Sequence, residues 1–130
     1  MREAVIVSMV RTPVGRVGGA LSSSTAADLG SLAIREAVRR AGIDPALIDD
    51  VIFGNILNND WQNIARAAAP AAGLPMEVPA IKVDRECGSG ANAVAFAAMS
   101  IQSGFYDVVV AGGVESDSTR PWIMAKPKKA

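Results

Sequence analysis

Apolar positions are distributed along this 130-residue chain in two distinct rhythms. Residues 3–10 (EAVIVSMV) and 107–112 (DVVVAG) are near-continuous apolar runs rich in valine and isoleucine, as expected of strands covered on both faces. Residues 51–54 (VIFG) and 78–83 (VPAIKV) read as two further short strands, and Pro79 suits the beginning or edge of one. Between them the period changes to that of a helix. Thr25-x-x-Asp28 forms a capping-box start. Ala26, Leu29, Ala33, Ala37 and Ala41 then share one face, and Gly42 supplies the stop. Asp44-Pro45 opens a short helical turn, and a second helix is expected over 64–72, ending at Gly73. Pro70 predicts a kink or an early end there, because proline removes a backbone donor and clashes with the preceding turn. Residues 11–24, with Gly15, Gly18 and Gly19, and 55–63, with Trp61, read as loops.

The stretch from Cys87 to Tyr106 (CGSGANAVAFAAMSIQSGFY) has no charged residue. After Gly90 apolar or small side chains fall on every face, interrupted only by Asn92, Ser100, Gln102 and Ser103, which predicts a helix buried between layers. Four strands alternating with three helices indicate an α/β fold with a parallel-rich sheet and this helix at its centre. Loops after the strands should gather at one edge of the sheet, the usual place for ligand chemistry in open α/β folds. Cys87 lies in such a loop, at the start of the central helix. From Ser116 to Ala130 no strand or helix pattern is legible.

Composition narrows the options. Half the residues are hydrophobic and 13 basic side chains balance 13 acidic ones, so the chain is globular rather than disordered. Zero net charge removes the bulk electrostatic case for nucleic acid or an anionic membrane, and Lys126-Pro127-Lys128-Lys129 reads as a solvated end. The glycines and polar interruptions of 87–106 argue for a buried helix rather than a membrane span. Neither Glu3 nor the short run at 4–7 builds a secretory signal. One cysteine excludes an intrachain disulfide and suits a reducing, cytoplasmic compartment. The absence of histidine excludes a Cys–His dyad or Ser–His–Asp triad within these residues.

Cys87 has two readings, a small buried hydrophobe or a nucleophile. Unpaired amides at a helix N-terminus favour a thiolate, whereas the Glu86 carboxylate opposes one if it points inward. Gly88-Ser89-Gly90 and Gly112-Gly113 complete neither a dinucleotide fingerprint nor a P-loop, and read as turn glycines. Asp49-Asp50, Asp84 with Glu86, and Glu115 with Asp117 lack metal-ligand spacing and read as solvated loop ends. Trp61 and Trp122 lie in loops, as interface markers or partly packed rings.

Several stretches, in order, carry a resemblance: EAVIVSMVRTPVGRVGG, AADLGSLAIREAVRRAGIDP, QNIARAAAPAAGLP, CGSGANAVAFAAMSIQSG and VVVAGGVES. Together they resemble the N-terminal part of the thiolases, the acetyl-CoA acetyltransferase and 3-ketoacyl-CoA thiolase family. The resemblance implies most of the N-terminal α/β domain over 1–115 and the start of a loop domain that covers the substrate over 116–130. It implies Cys87 as the nucleophile that carries an acyl thioester, with its backbone N–H in the oxyanion hole. The substrates implied are coenzyme A thioesters, used for acetoacetyl-CoA formation or 3-ketoacyl-CoA thiolysis, with no tightly bound cofactor and no metal. A homo-oligomer, dimer or tetramer, is implied as well, with 78–83 near the partner.

The pattern is not complete. The family draws an activating histidine, a second cysteine and an asparagine-linked oxyanion site from its C-terminal half, and these 130 residues offer no histidine and one cysteine. Asp117 stands where the family usually has methionine, Asn59-Asp60-Trp61 replaces a glycine-containing loop, and Pro70 interrupts a helix. The expectation is therefore a truncated piece, inactive alone. Two rivals are a non-catalytic interaction fragment and a β-ketoacyl synthase relative, the latter disfavoured by the CGSG and GGVES wording.

Overall fold

Three parallel strands form the sheet on which the helices are laid: β1 (Asp50–Gly54), β2 (Ala80–Val83) and β3 (Val109–Gly113), in the order β2-β1-β3. The structure, a computed structural model, describes residues 2–57 and 62–128. In register, Gly54 lies opposite both Val83 and Gly113, so the three strands end together. β1 is central and buried at all five positions. Its side chains alternate as a strand requires: Val51 and Phe53 join one cluster, Ile52 the other.

Helices α1 (Ala26–Ala41) and α2 (Ile64–Ala71) pack on the Val51/Phe53 face, and α3 (Ser89–Gln102) covers the Ile52 face through Ala93 and Ala97. The ends of α1 follow the local signals. The Thr25 hydroxyl accepts the Asp28 N–H while the Asp28 carboxylate accepts the Thr25 N–H, and the Thr25 side chain holds that carboxyl below its usual range. Gly42 closes the helix at φ 65°. Asp44 caps a single 3₁₀ turn, Pro45–Leu47. Asn63 caps α2 by accepting the Arg66 N–H, and α2 ends one residue after Pro70, which sits in its last turn. Arg35 of α1 donates to the Ala71 carbonyl at 2.8 Å, satisfying an acceptor that the end of α2 leaves open.

Four expectations are corrected. The buried stripe of α1 is Ala26, Gly30, Ser31, Ile34 and Val38, not the alanine face with Leu29. A Cβ on Gly30 would meet Ala68, Phe53 and Val114 at 3.2–3.3 Å, so the missing side chain is what lets α1 close on α2 and the sheet. The central helix begins at Ser89 rather than Cys87, and it is not covered all round: Val94, Phe96 and Met99 are exposed, because among the described residues only the sheet lies against it. β2 begins after Pro79, within the run 78–83, and β3 covers Val109–Gly113, starting two residues later than the run 107–112 and ending one later.

The fourth concerns residues 3–10, which form no strand, and Val5, Ile6, Val7 and Met9 are exposed. A strand exists only where a neighbour accepts its ladder of hydrogen bonds, and among the described residues none pairs with this run. Residues 116–128 likewise carry no helix or strand. They are tied to the early loop by the Ser116 hydroxyl donating to the Ser24 carbonyl at 2.8 Å and the Gly18 N–H donating to the Ser118 hydroxyl at 3.0 Å. Among the described residues no helix is long and apolar enough to cross a membrane.

Candidate active site

The carboxyl ends of the three strands form one rim, and α3 starts directly on it. A Cβ built on Gly54 would lie 2.5 Å from the Gly90 nitrogen and the Ser89 carbonyl carbon. One on Gly113 would lie 3.0 Å from the Gly54 carbonyl oxygen and 3.4 Å from the Gly90 Cα. Backbone therefore rests on backbone where α3 meets β1 and β3, which only residues without side chains permit. Of the turn glycines anticipated, Gly90 and Gly113 thus have a further use, seating the helix, whereas Gly112 faces the Phe53 ring.

Cys87 stands in the tight turn between β2 and this seated helix, and it is exposed. That exposure does not fit the reading of Cys87 as a small buried hydrophobe. The turn is closed by the Gly88 N–H donating to the Arg85 carbonyl and the Ser89 N–H to the Glu86 carbonyl, each at 3.0 Å. Glu86 adopts φ 47°, the one described non-glycine residue in the left-handed region, where a side chain is costly. Gly88 is the N-cap of α3 and offers no side chain to its first-turn amides. Amides left open in this way favour a negatively charged group nearby.

The remaining acidic candidates separate by role. Asp84 accepts the Glu86 N–H at 3.2 Å, within the same turn. Asp49 and Asp50 lie at the opposite, amino end of the strands. Asp49 accepts the N–H groups of Asp107 and Val108, and Asp50 accepts the Val51 N–H. Among the described residues no group of three or more His, Cys, Asp or Glu could hold a metal ion. Asp117 pairs with Arg120 at 3.1 Å on the surface.

Glu115, expected to be a solvated loop end, has a structural role instead. Its carboxylate accepts the backbone N–H of Ile56 and Leu57 and one N–H of the buried Asn55 amide, pinning the loop after β1 to the end of β3. Asn55 also donates to the Val114 carbonyl at 2.8 Å. No local signal marks this pairing, since its partners lie 58 to 60 positions away. Trp122 is 98% exposed, whereas Trp61 lies outside the described residues.

The family model described as "Thiolase, N-terminal domain" matches residues 4–129. This chain belongs to the thiolase family. It is 50% identical over 98% of its length to acetyl-CoA acetyltransferase 2 of Arabidopsis thaliana. It is 48% identical over its whole length to the 3-oxoadipyl-CoA/3-oxo-5,6-dehydrosuberyl-CoA thiolase of Escherichia coli. Its fold matches the crystal structure of the Bacillus anthracis acetyl-CoA acetyltransferase with TM-score 0.93 and 43% identity, over 97% of this chain and 32% of that one. The chain spans about a third of the length of the curated relatives it matches, 32% and 33% of the first two. Among thiolases this piece holds the α/β rim described above and the exposed cysteine on it.

Proposed function

We propose that this chain carries the nucleophile of a thiolase-type acyl transfer between coenzyme A thioesters, and that Cys87 is the residue acylated. The observation that supports it is the exposed placement of Cys87 on the strand rim, immediately before the uncapped first turn of α3. The thiolate attacks the thioester carbon of acetyl-CoA, the bond from that carbon to the coenzyme A sulfur breaks, and the coenzyme A thiolate leaves and takes a proton. The acetyl group stays on Sγ until the α-carbon of a second acetyl-CoA, having given up a proton to a base outside these residues, attacks its carbonyl carbon. The bond from that carbon to Sγ then breaks, giving acetoacetyl-CoA and the Cys87 thiolate. In the thiolytic direction Sγ attacks the keto carbon of a 3-ketoacyl-CoA, the carbon–carbon bond breaks, and acetyl-CoA departs after its α-carbon is protonated. The acyl group left on Sγ then passes to the thiol of a second coenzyme A. Dividing the reaction at a thioester turns one hard carbon–carbon step into two easier ones. The Cys87 N–H stabilises the oxyanion of the tetrahedral species.

These residues offer no histidine, so the proton transfers need groups from outside them, and a complete cycle is not expected from the 130 residues alone. A homo-oligomer, dimer or tetramer, with β2 toward its partner belongs to the same reading. The exposed Ile81 on that edge strand is consistent with it. A cytoplasmic location is part of the reading too.

The test is intact-mass spectrometry after incubation with acetyl-CoA. One acetyl group is expected on Cys87, located by peptide mapping, and none on Cys87→Ala. An adduct that persists in the alanine variant removes Cys87 from this role. A wild-type chain that takes no acetyl group favours a second reading, an interaction piece without chemistry, for which the exposed Val5, Ile6, Val7 and Met9 speak.

A further inference from the structure

The turn that presents Cys87 contains a buried hydroxyl that no step of the reaction above uses. Ser89 is only 3% exposed, yet its Oγ accepts the Arg85 N–H at 2.7 Å and donates to the Glu86 carbonyl at 2.6 Å. Those two bonds span Cys87, fastening the residues immediately before it to the first residue of α3. Between them Glu86 is held at φ 47°. A non-glycine residue persists in that region only where its surroundings hold it there. The Glu86 backbone supplies the contacts that matter: its N–H goes to Asp84, and its carbonyl accepts both the Ser89 N–H and the Ser89 hydroxyl. The position of Ser89 is in turn set from below, because its Cβ would lie 2.7 Å from a Cβ on Gly54.

We propose that Ser89 is the positioning residue for the Cys87 thiol: its hydroxyl locks Glu86 in the left-handed conformation and so aims Cys87 over the open first turn of α3. Without the hydroxyl, Glu86 relaxes to negative φ and the thiol swings away from the helix terminus. The role in acyl transfer rests on the reading of Cys87 as the nucleophile, whereas the turn geometry does not.

The experiment compares wild type, Ser89→Ala, and Ser89→Ala combined with Glu86→Gly, all in the full chain. Glycine adopts positive φ without a steric penalty, so the second substitution replaces what the hydroxyl enforces. Two rates are read on each protein, carbamidomethylation of Cys87 by iodoacetamide under native conditions and acetylation by acetyl-CoA. Ser89→Ala is expected to slow both by about tenfold, the effect of losing two modest hydrogen bonds. The half-saturating acetyl-CoA concentration should stay unchanged, and the double variant should recover most of the rate. A merely structural serine would lower the melting temperature without this rescue. If Ser89→Ala alone does not fold, the double variant is expected to fold and react; its failure to do so overturns the proposal. Wild-type alkylation by Ser89→Ala, or a loss that Glu86→Gly does not repair, overturns it as well. If the wild-type chain takes no acetyl group while alkylation follows the expected pattern, the positioning role stands and the acyl-transfer reading falls.

Discussion

Asp50 shows what burial does to a single carboxylate. It is 8% exposed at the amino end of β1, and burial pushes its carboxyl above the usual range, against hydrogen bonds from the Val51 N–H and the Tyr106 hydroxyl. The Tyr106 phenol is raised in turn, first by burial and then by the Asp50 charge. The folded state thus holds the Asp50 proton more tightly than the unfolded chain does. Ionising the group costs stability above its raised folded value, and the cost vanishes as pH falls below the ordinary value of 3.8. Asp50→Asn keeps an acceptor for Val51 and removes the charge. It is expected to raise the melting temperature at pH 7, with the advantage shrinking as pH falls through the carboxylate range. Circular dichroism melts across pH check this, and a lower melting temperature at neutral pH would contradict it. Glu36 is the opposite case, held down to about 2 by hydrogen bonds from Arg39 and then Arg40 on the surface of α1. Its stabilisation is present above the ordinary value of 4.5, fades toward that lower value, and is screened because the group is exposed.

At the scale of elements, α3 matters through where it begins. Its first turn rests on Gly54 and Gly113, so the rim of the sheet and the turn holding Cys87 are one packed unit. Gly54→Ala places a methyl group 2.5 Å from the Gly90 nitrogen. Because the obstructing atoms are backbone, it should destabilise the fold by about 3 kcal/mol and displace the start of α3. Chemical denaturation measures the first effect, and the alkylation rate of Cys87 the second. A variant as stable as wild type would show that the helix is not seated as described. The glycines are visible in the sequence as turn residues; their contact with one another is not, since Gly54, Gly90 and Gly113 meet only after three elements have packed. Capping behaves differently. Thr25 with Asp28, Gly42 and Asp44 act on residues within four positions of themselves, and each is legible from the order of residues alone.

For the whole molecule the governing fact is long-range polar linkage across the rim. Glu115 joins the loop after β1 to the end of β3 with three accepted hydrogen bonds. Glu115→Ala should cost about 2 kcal/mol, since several charge-assisted bonds are lost from an exposed group. Hydrogen exchange is expected to rise at the amides of Ile56 and Leu57 ahead of the rest of β1. Unchanged protection there would rule out the linkage. Exposed apolar surface is the other whole-molecule feature: Val5, Ile6, Val7 and Met9 of the unpaired run, and Val94, Phe96 and Met99 of α3. Both runs read as buried from composition, because hydrophobicity reports a tendency to be covered and not what does the covering.

What the sequence determined by itself was therefore local or periodic. The ends of α1 followed from caps, the central strand from an apolar run bounded by turns, the α/β class from the alternation, and Cys87 as the one thiol from counting. The thiolase resemblance was legible too, carried by ordered motifs along the chain. Tertiary structure decided which stripe of α1 is buried, that α3 is covered on one side by the sheet, that residues 3–10 pair with nothing among the described residues, and that Glu115 is a clamp rather than a solvated end. The reason is physical. A cap or a period is set by neighbours a few bonds away, whereas burial and hydrogen-bond partnership depend on which distant backbone comes to lie alongside.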